Sequence, residues 1–227
     1  QHDLDSYLEY SNYFIGNGLD SFDISKADIE KEAYIIRKKK LNIKFGLYND
    51  FVREIKPNLI NLIHFVSESE FCWKSLSLRE YDAAVPGTLY YRRKAAYDNL
   101  VNAPFSKIKF SKRFYEYPIK FLDKLGLKPY SNVYIKHFYN LAFQQRMEKT
   151  KVCITDGGLI DFTIRKFFEI PASGSLLACW PTTNFTQLGF KDGINSITLG
   201  SVADVLEVTH AVAKDPERYQ LIASEGQ

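Results

Sequence analysis

The sequence predicts an α/β fold, in which a Rossmann-like parallel sheet carries helices on both faces. Three observations lead there. Short apolar runs alternate along the chain with segments of helical spacing, the order that builds a parallel sheet. Hydrophobic residues make up 45% of the 227, enough for a real core. Turns bearing glycine, Pro86-Gly87 and Asp156-Gly157-Gly158, follow two of the apolar runs. Ligands of such folds bind there, outside the carboxyl ends of the strands.

The elements follow in order. Residues 1–24 are polar and aromatic, and Gly16 and Gly18 break any period. Ser25-x-x-Asp28 resembles a capping box and opens a helix to about Lys39. Tyr48–Ile55 reads as a short helix stopped by Pro57, and Leu62–Val66 as a short strand. Tyr81–Val85 is a second strand, followed by a helix over Arg92–Val101. Lys107–Phe110 is a further strand candidate, and Arg113–Leu125 a helix that stops at Gly126. Asn132–Glu148 has apolar residues at helical spacing. Val152–Thr155 is a buried strand, leading through Asp156-Gly157-Gly158 to a helix over Ile160–Ala172 that ends at Gly174. Ser175–Trp180 and Ser196–Leu199 are strands around a long loop, and helices over Val202–Ala213 and Pro216–Ser224 close the chain. The expected organisation is a helical N-terminal segment over residues 1–60 and a Rossmann-like domain over 61–227.

The stretch Lys151–Gly174 is the first candidate site. Gly157 and Gly158 permit backbone angles that other residues resist and let a ligand reach the main chain. A helix opening directly after them would aim unpaired amides at a phosphate or carboxylate. On that helix Arg165 and Glu169, four apart, share a face, and Asp161 lies two turns before Glu169. A surface ion pair is one reading of Arg165 and Glu169. In the other, the Glu169 carboxylate accepts from two ribose hydroxyls, and Arg165 faces phosphate or holds Glu169 in position.

Composition narrows the classes. The net charge is +3, with +6 in residues 1–150 and −3 in residues 151–227. That balance does not call for nucleic acid, and runs such as Arg37–Lys40 and Arg92-Arg93-Lys94 read as solvated faces or phosphate attractors. Cys72, Cys153 and Cys179 are far apart, without metal spacing, and fit reduced thiols in a cytoplasmic protein. The four histidines form no zinc pattern, and no apolar run is long enough to cross a membrane. Asn184-Phe185-Thr186 matches a glycosylation sequon, which matters only on a secretory route. The chain begins with Gln and stops inside a helical pattern, so a fragment of a longer protein is expected.

Arg165-Lys166-Phe167-Phe168-Glu169-Ile170-Pro171-Ala172-Ser173-Gly174-Ser175-Leu176-Leu177 resembles the R-x-F-E-I-x-A-x-G-x-L-L signature of the group 1 glycosyltransferases, particularly their CgeB-like branch. Downstream, Phe190-Lys191-Asp192-Gly193-Ile194-Asn195 resembles the F-x-D-G-x-N loop of that family, and Asp215-Pro216-Glu217-Arg218 with Ile222-Ala223 its closing helix. Upstream, Tyr81–Gly87 and Tyr90-Tyr91-Arg92-Arg93 resemble the first strand and the following arginine motif of the same domain. The likeness covers about residues 60–227 and is most specific at 165–226.

The resemblance implies the C-terminal, donor-binding domain of a GT-B glycosyltransferase, with a nucleotide sugar as substrate and no metal or other cofactor. It implies that Glu169 takes the ribose, that Asp161 stands where relatives carry the first acid of an E-x7-E pair, and that residues 156–158 approach the diphosphate. Gly87 would bring its loop to the cleft, with Arg93 as a phosphate contact and Arg92 as its neighbour. The acceptor would be a glycan, a lipid-linked saccharide or a protein, and a partner domain would complete the cleft and supply any catalytic base. A non-catalytic module of the same fold, kept for binding a sugar nucleotide or saccharide, is the alternative. A dinucleotide oxidoreductase fits less well, because Asp156-Gly157-Gly158 lacks the G-x-G-x-x-G spacing.

Overall fold

The computed structural model describes residues 14–16, 59–61, 66–103 except 88 and 90, 121, 124–125, 133–157 and 163–227 except 183. The expected elements at Ser25–Lys39, Tyr48–Ile55 and Lys107–Phe110 lie outside these, as does most of Arg113–Leu125. The chain forms two compact units. One comprises residues 1–65, 157–164 and 182–184, the other residues 66–156, 165–181 and 185–227.

In the first unit, β1 (Phe14–Gly16) pairs in parallel with β2 (Leu59–Asn61). Both strands are too short to display a period of two in the sequence. Thr163, Thr182 and Asn184 are buried in this unit and joined by their side chains; the Thr163 hydroxyl donates to Asn184 Oδ1 at 2.6 Å and pairs closely with that of Thr182. The sequon asparagine is thus an interior hydrogen-bonding group.

The second unit holds a four-stranded parallel sheet in the order β3 (Tyr81–Ala84), β4 (Thr150–Thr155), β5 (Leu176–Cys179), β6 (Ile197–Thr198). With its helices it is the Rossmann-like α/β architecture that the alternating pattern predicts. Those helices are α1 (Tyr91–Val101), α2 (Val133–Glu148), α3 (Lys166–Ala172), α4 (Asp204–Lys214) and α5 (Pro216–Gly226). Every described residue of β4 but Lys151 is buried, and all of β5. Burial on both faces is why these strands read as continuous apolar runs.

Strand alternation sorts the core into two layers. Ala83, Val152, Ile154, Leu176 and Ala178 join Ala96 and Leu100 of α1, Val205 and Val212 of α4 and Ala223 of α5 in one cluster. Cys153, Leu177 and Cys179 point the other way and are equally buried, on the side where α2 packs on β4 and α3 on β4 and β5. Burial pushes the Cys153 thiol up to about 12, so it stays a neutral core group.

α5 starts by a local rule. Asp215 caps it by accepting from the Arg218 amide at 3.3 Å, and Pro216 occupies the first turn, where its missing N–H costs nothing. Among the described strands the order runs in one direction without reversal, so this sheet alone offers no crevice at a switch point. Chemistry at its carboxyl edge falls to the segments that leave the strands: Gly87 after β3 and Asp156 after β4.

Candidate functional site

The expected helix over Ile160–Ala172 is the main correction. Thr163 and Ile164 are not helical, and α3 begins only at Lys166. Thr163 is held instead by its hydroxyl contacts to Thr182 and Asn184, which compete with helix formation as short polar side chains do. Thr163 and Ile164 thus interrupt the single helix on which the expected Asp161–Glu169 face rests. Gly158 and Asp161 lie outside the described residues; Gly157 is buried in the first unit.

Arg165 and Glu169 are brought together. Arg165 Nε lies 3.2 Å from Glu169 Oε1, and Arg165 Nη2 lies 2.6 Å from Glu70 Oε1. Glu70 was not singled out in the sequence, yet Ser67-Glu68-Ser69-Glu70 carries the S-x-x-E spacing of a capping box. The Ser67 amide donates to Glu70 Oε1 at 2.9 Å, which fixes the glutamate for the arginine. Arg165 is 48% exposed, so each of these ion pairs stabilises the fold by only about 0.2–1 kcal/mol.

The three charges border a pocket of about 210 Å³, whose opposite wall is the second half of α2, with Asn140, Phe143 and Gln144. Ser67 and Ser69 complete its rim. Gln144 is oriented by donating to Ser69 O at 2.9 Å and to Glu148 Oε1 at 2.8 Å. Burial holds the Glu169 carboxyl above its usual range, Arg165 and Lys166 pull it down, and Glu70 pushes it up. Two carboxylates sharing one guanidinium leave acceptor capacity for ligand hydroxyls. They also leave the pocket without surplus positive charge, so of the two roles read for Arg165, holding Glu169 fits this geometry better than facing a phosphate.

The second group of expected residues meets at the carboxyl edge of the sheet. Arg93 is 2% exposed and its Nε lies 2.8 Å from Asp156 Oδ1. The two form an interior ion pair. Arg92 is partly buried in the first turn of α1. Gly87 has φ +89°, a conformation that favours glycine, and a β-carbon there would stand 2.2 Å from Lys166 Cε. The positive φ is what calls for glycine, and the end of the Lys166 side chain lies against the turn.

The Pro171–Ser175 segment packs around Arg79. Arg79 Nη2 donates to Ser173 O at 3.0 Å and to Lys74 O at 2.7 Å, and Nη1 reaches Ser175 Oγ at 3.3 Å. A β-carbon on Gly174, at φ +70°, would lie 2.4 Å from Cys72 O and 2.5 Å from Arg79 Nη2. The small residues of the A-S-G-S stretch thus make room for a buried arginine. The D-G-x-N loop is likewise self-contained: Asp192 Oδ1 accepts from the Thr198 amide, and Asn195 bridges Lys191 N and Gly189 O.

Among the described residues no group of three or more His, Cys, Asp or Glu is placed to hold a metal, and no helix is long and apolar enough to cross a membrane. No family model and no curated protein matches this chain. Among solved structures it is similar to the crystal structure of Anabaena HepE in complex with UDP-glucose, with a TM-score of 0.49 and 11% sequence identity. The match covers 75% of this chain and 52% of that one, so this chain spans about half the length of that protein.

Proposed function

We propose that this chain is the donor-binding part of a cytoplasmic, metal-independent GT-B glycosyltransferase, which transfers a sugar from a nucleotide-sugar donor to a glycan, lipid-linked or protein acceptor. The observation that carries the reading is Glu169. It occupies the acidic position of the signature at 165–177, and it stands in a polar pocket, held by Arg165, where its stability contribution is small. A carboxylate so placed accepts from both hydroxyls of a ribose. Arg165 acts as a positioning residue, with Glu70 as its anchor. The departing nucleoside diphosphate is stabilised by fixed positive charge in such a mechanism, without a metal ion. The acceptor's proton goes to a base on a partner domain.

Isothermal calorimetry with UDP, GDP, ADP and the parent nucleosides tests the reading. One nucleotide family is expected to bind, and Glu169→Ala to weaken it about 100-fold while the far-UV spectrum stays native, since two hydrogen bonds to a charged group are lost. Unchanged affinity in the variant would remove the ribose role. Binding without hydrolysis or transfer, once a partner domain is supplied, would favour a non-catalytic module of the same fold.

A further inference from the structure

Arg93 is the arginine that the motif offers to a phosphate, but it is buried and committed to Asp156 at 2.8 Å. The cation that remains is Lys166, the first residue of α3. Among the described residues its ammonium makes no hydrogen bond or ion pair; its one close partner is the Phe143 ring, with Nζ 5.9 Å from the centroid. It is nevertheless partly buried. It lies against the Gly87 turn: the point where a Gly87 β-carbon would stand is 2.8 Å from Lys166 Nζ and 3.5 Å from Arg93 Nη1. Two cations therefore converge on one turn at the carboxyl edge of the sheet, where Asp156 pairs with Arg93.

An ammonium in that position is disfavoured twice, by lost hydration and by its like-charged neighbour. Both effects hold its pKa below the usual lysine range, burial more than Arg93, although Glu169 and Asp156 pull it up. An anion laid against Nζ removes both costs at once. A phosphate group suits the spot because its several oxygens can accept from an ammonium that has three donors and no hydrogen bond among the described residues. Lysine binds phosphate as a point charge and needs no fork geometry.

We propose that Lys166 is the phosphate-contacting residue of this unit, with Arg93 as a fixed second charge and the Gly87 turn as the surface that holds the amine in place. The ligand class is a pyrophosphate or phosphate ester. Its assignment to a nucleotide rests on the reading of Glu169 above, whereas the anion contact stands without it. Glu169 lies one turn further along α3, so one short helix would address the ribose with one side chain and the phosphate with another.

The experiment uses inorganic pyrophosphate alone, and separately a nucleoside and its diphosphate from the family that binds best. Wild-type protein is expected to bind pyrophosphate. Lys166→Met should weaken pyrophosphate and the nucleoside diphosphate about 10- to 100-fold, the value of one charge-assisted contact, and leave the nucleoside unchanged. The apolar substitution should fold, since it removes an unpaired cation from a partly buried site. A readout on the unmodified protein runs beside it: acetylation of Lys166, followed by peptide mass spectrometry, should be slowed by pyrophosphate and not by the nucleoside. If pyrophosphate fails to bind, or protects nothing at Lys166, or if Lys166→Met weakens nucleoside and diphosphate in equal proportion, the proposal is overturned. If pyrophosphate binds through Lys166 while no nucleoside binds, the phosphate site stands and the ribose reading falls.

Discussion

Arg79 offers the sharpest test of how the 171–175 segment is used. Its guanidinium is 4% exposed and donates to Lys74 O, Ser173 O, Met147 O, Thr150 O and Ser175 Oγ. Not all of these are lost when it is truncated. Ser175 Oγ also lies 2.6 Å from Met147 O and 2.8 Å from Thr150 O, and its single proton keeps one of those two carbonyls paired. Lys74 O and Ser173 O, at 2.7 and 3.0 Å from Nη2, are left without that donor by Arg79→Met. At about 1–3 kcal/mol for each orphaned buried acceptor, with a smaller share for the part-buried Lys74 O, and less the relief of no longer burying a guanidinium, the expected loss is about 3–4 kcal/mol. For a chain of this size that lowers Tm by about 10 °C in a calorimetric or fluorescence melt. Arg79→Lys should recover less than half of the loss, because an ammonium cannot span both carbonyls. A fall of under about 2 °C in Arg79→Met would refute the view that this segment is shaped by the arginine.

Two further outcomes follow from the same geometry. Gly174→Ala combines a left-handed backbone with a β-carbon 2.4 Å from Cys72 O, and should cost about 2–4 kcal/mol in urea denaturation; a loss within 0.5 kcal/mol contradicts it. Glu169 titrates above its usual 4.5, chiefly through burial, so the folded state holds its proton more tightly than the unfolded chain. Its ionisation therefore costs stability, fully above the folded pKa and not at all below the unfolded one. The Tm of Glu169→Gln relative to wild type should rise as pH climbs from about 4 through the window above 4.5, and a relative fall over that window would reverse the sign of the argument.

The sheet was legible in the sequence because its physics is local. Strands buried on both faces must be apolar throughout, and Val152–Thr155 and the run around Leu176–Cys179 could hardly be read otherwise. The helix at 133–148 carried its own spacing, and the one at 216–226 its own cap. The start of α3 was misread because Thr163 is decided by distant partners, Thr182 and Asn184, which no window around residue 160 contains. Arg79 was missed for the same reason: a lone arginine before a strand looks solvated, and only the tertiary fold surrounds it with carbonyls. The Arg165–Glu169 pair was visible as an i, i+4 spacing, whereas its third member, Glu70, is 95 residues away in sequence. Lys166, between Arg165 and two phenylalanines, looked like part of a signature's variable position. Its meaning depends on Gly87, from the other end of the unit.

The central claim is that Glu169 binds the ribose of a nucleotide at the pocket between α2 and α3. The most direct measurement is the calorimetric Kd of the best-binding nucleoside diphosphate for wild type and for Glu169→Ala, at one pH and ionic strength. The account requires Kd to rise about 100-fold in the variant with its melting curve still cooperative. Equal Kd values for the two proteins, or no binding of any nucleotide to the wild type, would contradict it.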